Sequence, residues 1–146
     1  MKILIVKLSS IGDIVHTLPA LAAIRRALPK AEIGWAVGRG AAEILRGNKL
    51  LDNLIEIDTR TISGGSRQLR KLRRYEFDVA LDFQGLLKSA TIAKLAKAKR
   101  RYGFAKQNLR EPASRFLLTD TVEVEQNLHI IVKNLKLAEQ ALQISV

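Results

Sequence analysis

Residues 3–19 read ILIVKLSSIGDIVHTLP, and this stretch decides the fold. Ile3 to Val6 is a compact apolar run with a lysine on each side, Lys2 and Lys7. A strand covered on both faces loses the alternating pattern, so the run predicts a buried strand of a parallel sheet. Ser9, Ser10 and Gly12 follow, small residues that let a ligand approach the backbone. Leu21, Ile24 and Leu28 then recur at helical spacing, with Arg25 and Arg26 on the other side. Pro19 fits the first turn of a helix capped by Thr17, or breaks a longer helix that starts near Asp13. Strand, small-residue loop and helix is the opening of a nucleotide-binding α/β unit. Yet neither G-x-G-x-x-G nor a Walker pattern is present. An acid, Asp13, stands where a phosphate loop would carry none.

The rest of the chain continues the alternation. EIGWAV (32–37), NLIEID (53–58), FDVALD (77–82) and the short RRYGF (100–104) read as further strands. AAEIL opens a short helix after Gly38 and Gly40. SRQLRKLRRYE (66–76) reads as a basic helix with only Leu69 and Leu72 to bury. QGLLKSATIAKLAKAK (84–99) is a helix of good formers. Residues 105–118 give no clear pattern. Leu128, Ile131, Leu135, Ala138 and Leu142 then mark a C-terminal amphipathic helix. The fold class is therefore α/β, a Rossmann-like parallel sheet with helices on both faces. Ligands of such folds sit at the carboxyl ends of the strands, which singles out the loops 7–13, 58–66 and 82–88.

Composition narrows the function classes. The 146 residues suffice for one domain with a core. No apolar run approaches the ~20 residues of a membrane span, and Ile3–Val6 is too short for a signal-peptide core. A cytoplasmic domain is expected. There is no cysteine, hence no disulfide framework. The two histidines, His16 and His129, make a zinc site unexpected. The net charge of +11 is concentrated: residues 60–115 hold 15 of the 25 Lys and Arg against four acids. The remainder is neutral. An anionic partner follows. Nucleic acid ranks low because no recognition motif is visible.

Several residues invite a chemical role. From position alone Asp13 reads first as a helix cap, its alternative being a reactive carboxylate. Gln84 and Gly85 lie just past a buried strand. Lys88 falls near the first turn of the next helix, where the dipole disfavours a cation and an anionic neighbour would restore balance. Arg60 stands at a strand end, with a planar fork suited to phosphate or carboxylate. Gly64-Gly65 suggests a mobile loop. Arg110 and Arg115 flank a Glu-Pro. His16 reads as a capping or packing residue and Trp35 as core. The basic helix at 66–76, with its narrow apolar edge, is expected to lie against acidic lipid.

Three stretches together resemble a known family. ILIVKLSSIGDIVHTLPAL, FDVALDFQGLLKSA and REPASRFLL are similar, in this order, to the bacterial lipopolysaccharide heptosyltransferases of the heptosyltransferase I type. The similarity covers essentially the whole chain. It implies a GT-B architecture of two Rossmann-like domains, of which residues 1–146 are the N-terminal, acceptor-binding one. The donor-binding C-terminal domain is expected to be absent from this chain. The reaction implied is inverting transfer of heptose from ADP-L-glycero-β-D-manno-heptose to the Kdo-lipid A inner core, without a cofactor or tightly bound metal. The family's catalytic carboxylate falls on Asp13. Acceptor-binding positions fall on Ser10, Gly12, Arg60, Gln84, Lys88 and Arg110. The implied partners are Kdo-lipid A, the inner face of the cytoplasmic membrane as a peripheral contact, and ADP-heptose only where a donor domain is supplied. The alternative is an isolated, inactive basic domain that binds an anionic ligand or membrane surface.

Overall fold

The computed structural model describes residues 1–60 and 67–146; Gly64 and Gly65 lie outside them. Six parallel strands form one sheet in the order β3-β2-β1-β4-β5-β6. They are β1 (Lys2–Val6), β2 (Glu32–Gly38), β3 (Asn53–Ile57), β4 (Val79–Asp82), β5 (Arg100–Phe104) and β6 (Asp120–Val122). The order runs outward both ways from the β1–β4 pair, so the switch point of this doubly wound sheet lies between those two strands. There Ile3 pairs with Val79 and Val6 with Asp82. On its other side β1 pairs with β2, Val6 opposite Ala36.

Helices cover both faces. α1 (Ile11–Val15), α2 (Leu18–Ala27) and α5 (Ile130–Leu142) lie on one side; α3 (Arg67–Arg73) and α4 (Leu87–Leu95) lie on the other. Both readings of Pro19 describe part of the outcome. Two short helices form, with Thr17 before the second and Pro19 in its first turn. The break is held by polar contacts. Thr17 Oγ1 donates to the Asp13 carbonyl at 2.9 Å, and the buried Asn134 of α5 donates to the His16 carbonyl at 3.1 Å. His16 is a packing residue as expected, edge-on to His129 at 5.6 Å. Trp35 is fully buried, and its indole N–H donates to the Lys7 carbonyl.

The differences from the sequence reading are local. β6 is a sixth strand, three residues long, with too few apolar side chains to announce itself. Residues 39–45, 106–108 and 112–117 form 3₁₀ turns; the AAEIL helix is part of the first, and the unpatterned 105–118 segment holds the other two. The second helix of the middle region starts at Leu87, not Gln84, because residues 84–86 form a turn with Gly85 at φ 75°. A Cβ there would also meet Leu109 and the Arg110 backbone. Leu69 and Leu72 are both fully buried, which at about 1.5–3 kcal/mol per side chain fixes the basic helix to the sheet.

Candidate active site

The loop after β1 is clamped from both sides. Lys7 N–H donates to the Ala36 carbonyl of β2. The Lys7 side chain turns inward, 5% exposed, and Nζ donates to the Phe83 carbonyl at 3.2 Å. The N–H groups of Leu8 and Ser9 both donate to Gln84 Oε1, at 2.9 and 3.3 Å. Gly38 closes the other side: its N–H donates to the Leu8 carbonyl, and a Cβ there would stand 2.8 Å from that oxygen. The Ser9–Ser10 peptide is cis.

Beyond this clamp the loop becomes the start of α1. Ser10 is the N-cap and Asp13 the third helical residue, so Asp13 is not the cap that its position suggested. Its carboxylate reaches back instead, and Oδ2 accepts from both the N–H and the hydroxyl of Ser10 at 3.1 Å. This is the carboxylate half of a capping box. Partial burial pushes the Asp13 pKa up. The Ser10 N–H, the Lys7 ammonium, the Ser10 hydroxyl and the Arg110 guanidinium outweigh it, and the carboxyl lies below its usual range.

Asp82 ends β4 beneath the same loop and has the opposite character. Its Oδ1 accepts from the N–H groups of Gln84 and Gly85 at 3.0 and 3.2 Å, which shapes the turn. Oδ2 is buried without a partner. The Ser89 hydroxyl is near but donates to the Leu86 carbonyl. Burial pushes the Asp82 pKa up to about 6, against the pull of Ser89, the two N–H groups and Lys7. Lys7 is itself lowered by burial, and the charges of Asp13 and Asp82 act against that lowering.

A cleft of about 800 Å³ opens at the carboxyl ends of β1, β2 and β3, lined among others by Ser9, Ser10, Gly12, Arg39, Asp58 and Arg60. Arg60 is largely exposed but anchored, its Nε donating to Asp58 Oδ1 at 3.2 Å. Hydrogen bonds from the Arg60 side chain and backbone hold the Asp58 carboxyl below its usual range. Arg39 approaches the same carboxylate at 4.0 Å. The chemistry on offer is the Asp13 carboxylate at the loop, small residues beside it, and a rim where the Arg39 and Arg60 guanidinium groups meet Asp58, an arrangement that can meet a polar, anionic ligand.

Of the residues singled out above, Ser10, Gly12 and Arg60 line the cleft, and Asp13 stands directly behind Ser10. Arg110 is exposed, and its charge reaches Asp13 and Lys7. Its segment is tied to the β4 turn by the Glu111 N–H, which donates to the Gly85 carbonyl. Gln84 is buried below the loop and faces backbone, not open space. Lys88 is exposed on the first turn of α4, and among the described residues no hydrogen bond joins it to the cleft. Lys7, Asp82 and Arg39 escaped the sequence reading. Arg39 had a usable signal, because it follows the carboxyl end of β2 directly. Among the described residues no group of three or more His, Asp or Glu is placed to hold a metal, and no helix is long and apolar enough to cross a membrane.

This fold and site define a Rossmann-like α/β domain with a carboxylate after β1 and a cationic rim at the carboxyl ends of β2 and β3. Residues 66–146 match the model of glycosyltransferase family 9 (heptosyltransferase), and the chain belongs to that family. It is 32% identical to lipopolysaccharide heptosyltransferase 1 of Pseudomonas aeruginosa, over 97% of this chain and 43% of that protein. With the Escherichia coli K12 protein of the same name the identity is 28%, over 97% of this chain and 48% of that one. The solved structure of E. coli heptosyltransferase WaaC with ADP superposes with a TM-score of 0.90 at 30% identity, covering 99% of this chain and 48% of that chain. The expected GT-B-type α/β fold is thereby borne out. The chain spans about half the length of the curated relatives it matches.

Proposed function

We propose that this chain is the acceptor-binding part of a heptosyltransferase, one domain over residues 1–146. The reaction moves heptose from ADP-L-glycero-β-D-manno-heptose to the Kdo-lipid A inner core of lipopolysaccharide, with inversion. The observation that carries the reading is the Asp13 carboxylate, fixed by Ser10 beside a cleft with Arg60 on its rim and within electrostatic reach of Arg110. The guanidinium groups hold the phosphates and carboxylates of the acceptor. Ser10 and Gly12 leave room for its sugar.

Asp13 then takes the proton of the attacking hydroxyl. Its low basicity suits a late transfer: the hydroxyl acidifies as its oxygen bonds to the anomeric carbon, and only then does a carboxylate below its usual range accept the proton. The leaving diphosphate is stabilised by charge from the donor side, which belongs to the second domain of the family's plan. Lys88, exposed on the first turn of α4 after β4, adds positive charge for the acceptor. The reaction is placed at the cytoplasmic face of the inner membrane, with the domain attached peripherally. The test is heptosyl transfer with the donor-binding half supplied. Asp13→Ala abolishes it on this reading, and wild-type turnover in that variant removes Asp13 from the mechanism.

A further inference from the structure

The two faces of the sheet differ in charge. α3, α4 and the 3₁₀ turn at 112–117 share one face, and none of the three contains an acidic residue. They expose Arg67, Arg70, Lys71, Lys88, Lys94 and Arg115. The helices and 3₁₀ turn of the opposite face carry Asp13, Glu43 and Glu139 among their cations. The 3₁₀ turn packs on α4, and its Ser114 is buried. It projects Phe116, 75% exposed, with the Arg115 guanidinium 4.8 Å from the ring centroid. Leu87, at the start of α4, is the other exposed large apolar side chain on these three elements.

We propose that this face rests on an anionic lipid leaflet, with Phe116 inserted as its apolar anchor and the α3 and α4 cations on the headgroups. The inference rests on the membrane-side part of the reading above, and neither on Asp13 nor on transfer. An array of exposed cations gains from the negative surface potential of a leaflet, and an aromatic ring with a guanidinium over it suits the headgroup boundary. α3 supplies charge only. Its apolar edge, expected to lie on lipid, is Leu69 and Leu72, and both face the core. The same face suits nucleic acid less well, because single strands bind through several stacking aromatics. Here Phe77, Phe83 and Phe104 are buried, and Tyr75 is stacked on Phe77.

The experiment uses vesicles free of lipopolysaccharide: phosphatidylcholine alone, and phosphatidylcholine with phosphatidylglycerol. The full chain should sediment with the second and not the first, and 0.5 M salt should release it. Neutralising Arg70, Lys71, Lys94 or Arg115 should weaken binding about fivefold each. In Phe116→Trp, brominated lipid should quench the introduced indole, while Trp35, fully buried, stays unquenched. Phe116→Ala should keep its circular dichroism and its affinity for detergent-solubilised acceptor, yet lose vesicle binding. Absent binding to anionic vesicles, equal binding to both lipids, or an unquenched indole on bound protein overturns the proposal. So does retention of a DNA duplex by a chain that ignores vesicles. Acceptor binding in detergent is measured separately, so failure here and failure of the transferase reading remain distinguishable.

Discussion

Asp13 and Asp82 stand at the carboxyl ends of adjacent strands, and their surroundings push them in opposite directions. Asp13 is partly exposed, and its carboxylate is met by the N–H and hydroxyl of Ser10 within the charge of Lys7 and Arg110. Asp82 is fully buried, spends one oxygen on a turn and leaves the other unpartnered. Thus Asp13 is held towards its ionised form beside the cleft, whereas Asp82 is held towards its neutral form and shapes the support below. Gln84 links the two. Its own N–H rests on Asp82, and its side chain carries the N–H groups of Leu8 and Ser9 that lead to Asp13. Two carboxylates a strand apart are thereby shifted in opposite directions, Asp82 by burial and Asp13 by the Ser10 donors and the charges of Lys7 and Arg110.

The largest expected contrast is kinetic. With the donor side supplied, Asp13→Ala should lower transfer by about 10²–10⁴-fold, the range of a lost general base. Asp82→Asn should stay within a few fold, because an amide oxygen still accepts from Gln84 and Gly85. A comparable loss in both variants breaks the division of roles. Next comes stability. Asp82→Ala strips the acceptor from two backbone N–H groups and should cost about 1–3 kcal/mol for each one left buried and unpaired. Denaturant unfolding of the Ala and Asn variants separates the lost hydrogen bonds from the lost charge.

The pH dependence has a definite sign. Asp82 is raised from 3.8 to about 6, so the folded chain binds its proton more tightly than the unfolded chain. The stability it contributes is complete below pH 4 and lost as the pH rises towards 6, by up to about 3 kcal/mol. Asp82→Asn should flatten the thermal-unfolding profile across that window; an unchanged profile shows that Asp82 does not titrate there. Asp13, lowered, acts the other way, and its contribution is lost as the pH falls below the usual carboxylate range. The smallest effect belongs to Ser10→Ala. It removes one of the two Ser10 donors to Asp13, should cost about 0.5–1 kcal/mol, and should raise the Asp13 pKa in a carboxyl NMR titration.

Most of the sheet was legible because parallel strands buried on both faces are apolar runs, and five of them are long enough to stand out. β6 was not, since Asp120–Val122 offers one buried apolar side chain and gains its place only by pairing with β5. The site was half legible. The loops that hold Ser10, Gly12 and Arg60 follow from the rule that carboxyl strand ends carry ligands, whereas Asp13 reads from position as a cap and takes a chemical role only from the family resemblance. The support beneath them does not follow from that rule. Lys7 flanks an apolar run and reads as an exposed charge; it is buried because the end of β4, 76 residues away, supplies the Phe83 carbonyl. Gln84 reads as a ligand contact for the same reason: its real partners are backbone groups a sheet pairing away.

The most direct test of the account is calorimetric titration of the chain with detergent-solubilised Kdo-lipid A and, separately, with ADP-heptose. The account predicts binding of the acceptor, weakened about tenfold or more by Arg60→Ala or Arg110→Ala, and no comparable binding of the nucleotide sugar. Tight binding of ADP-heptose without binding of Kdo-lipid A would contradict it.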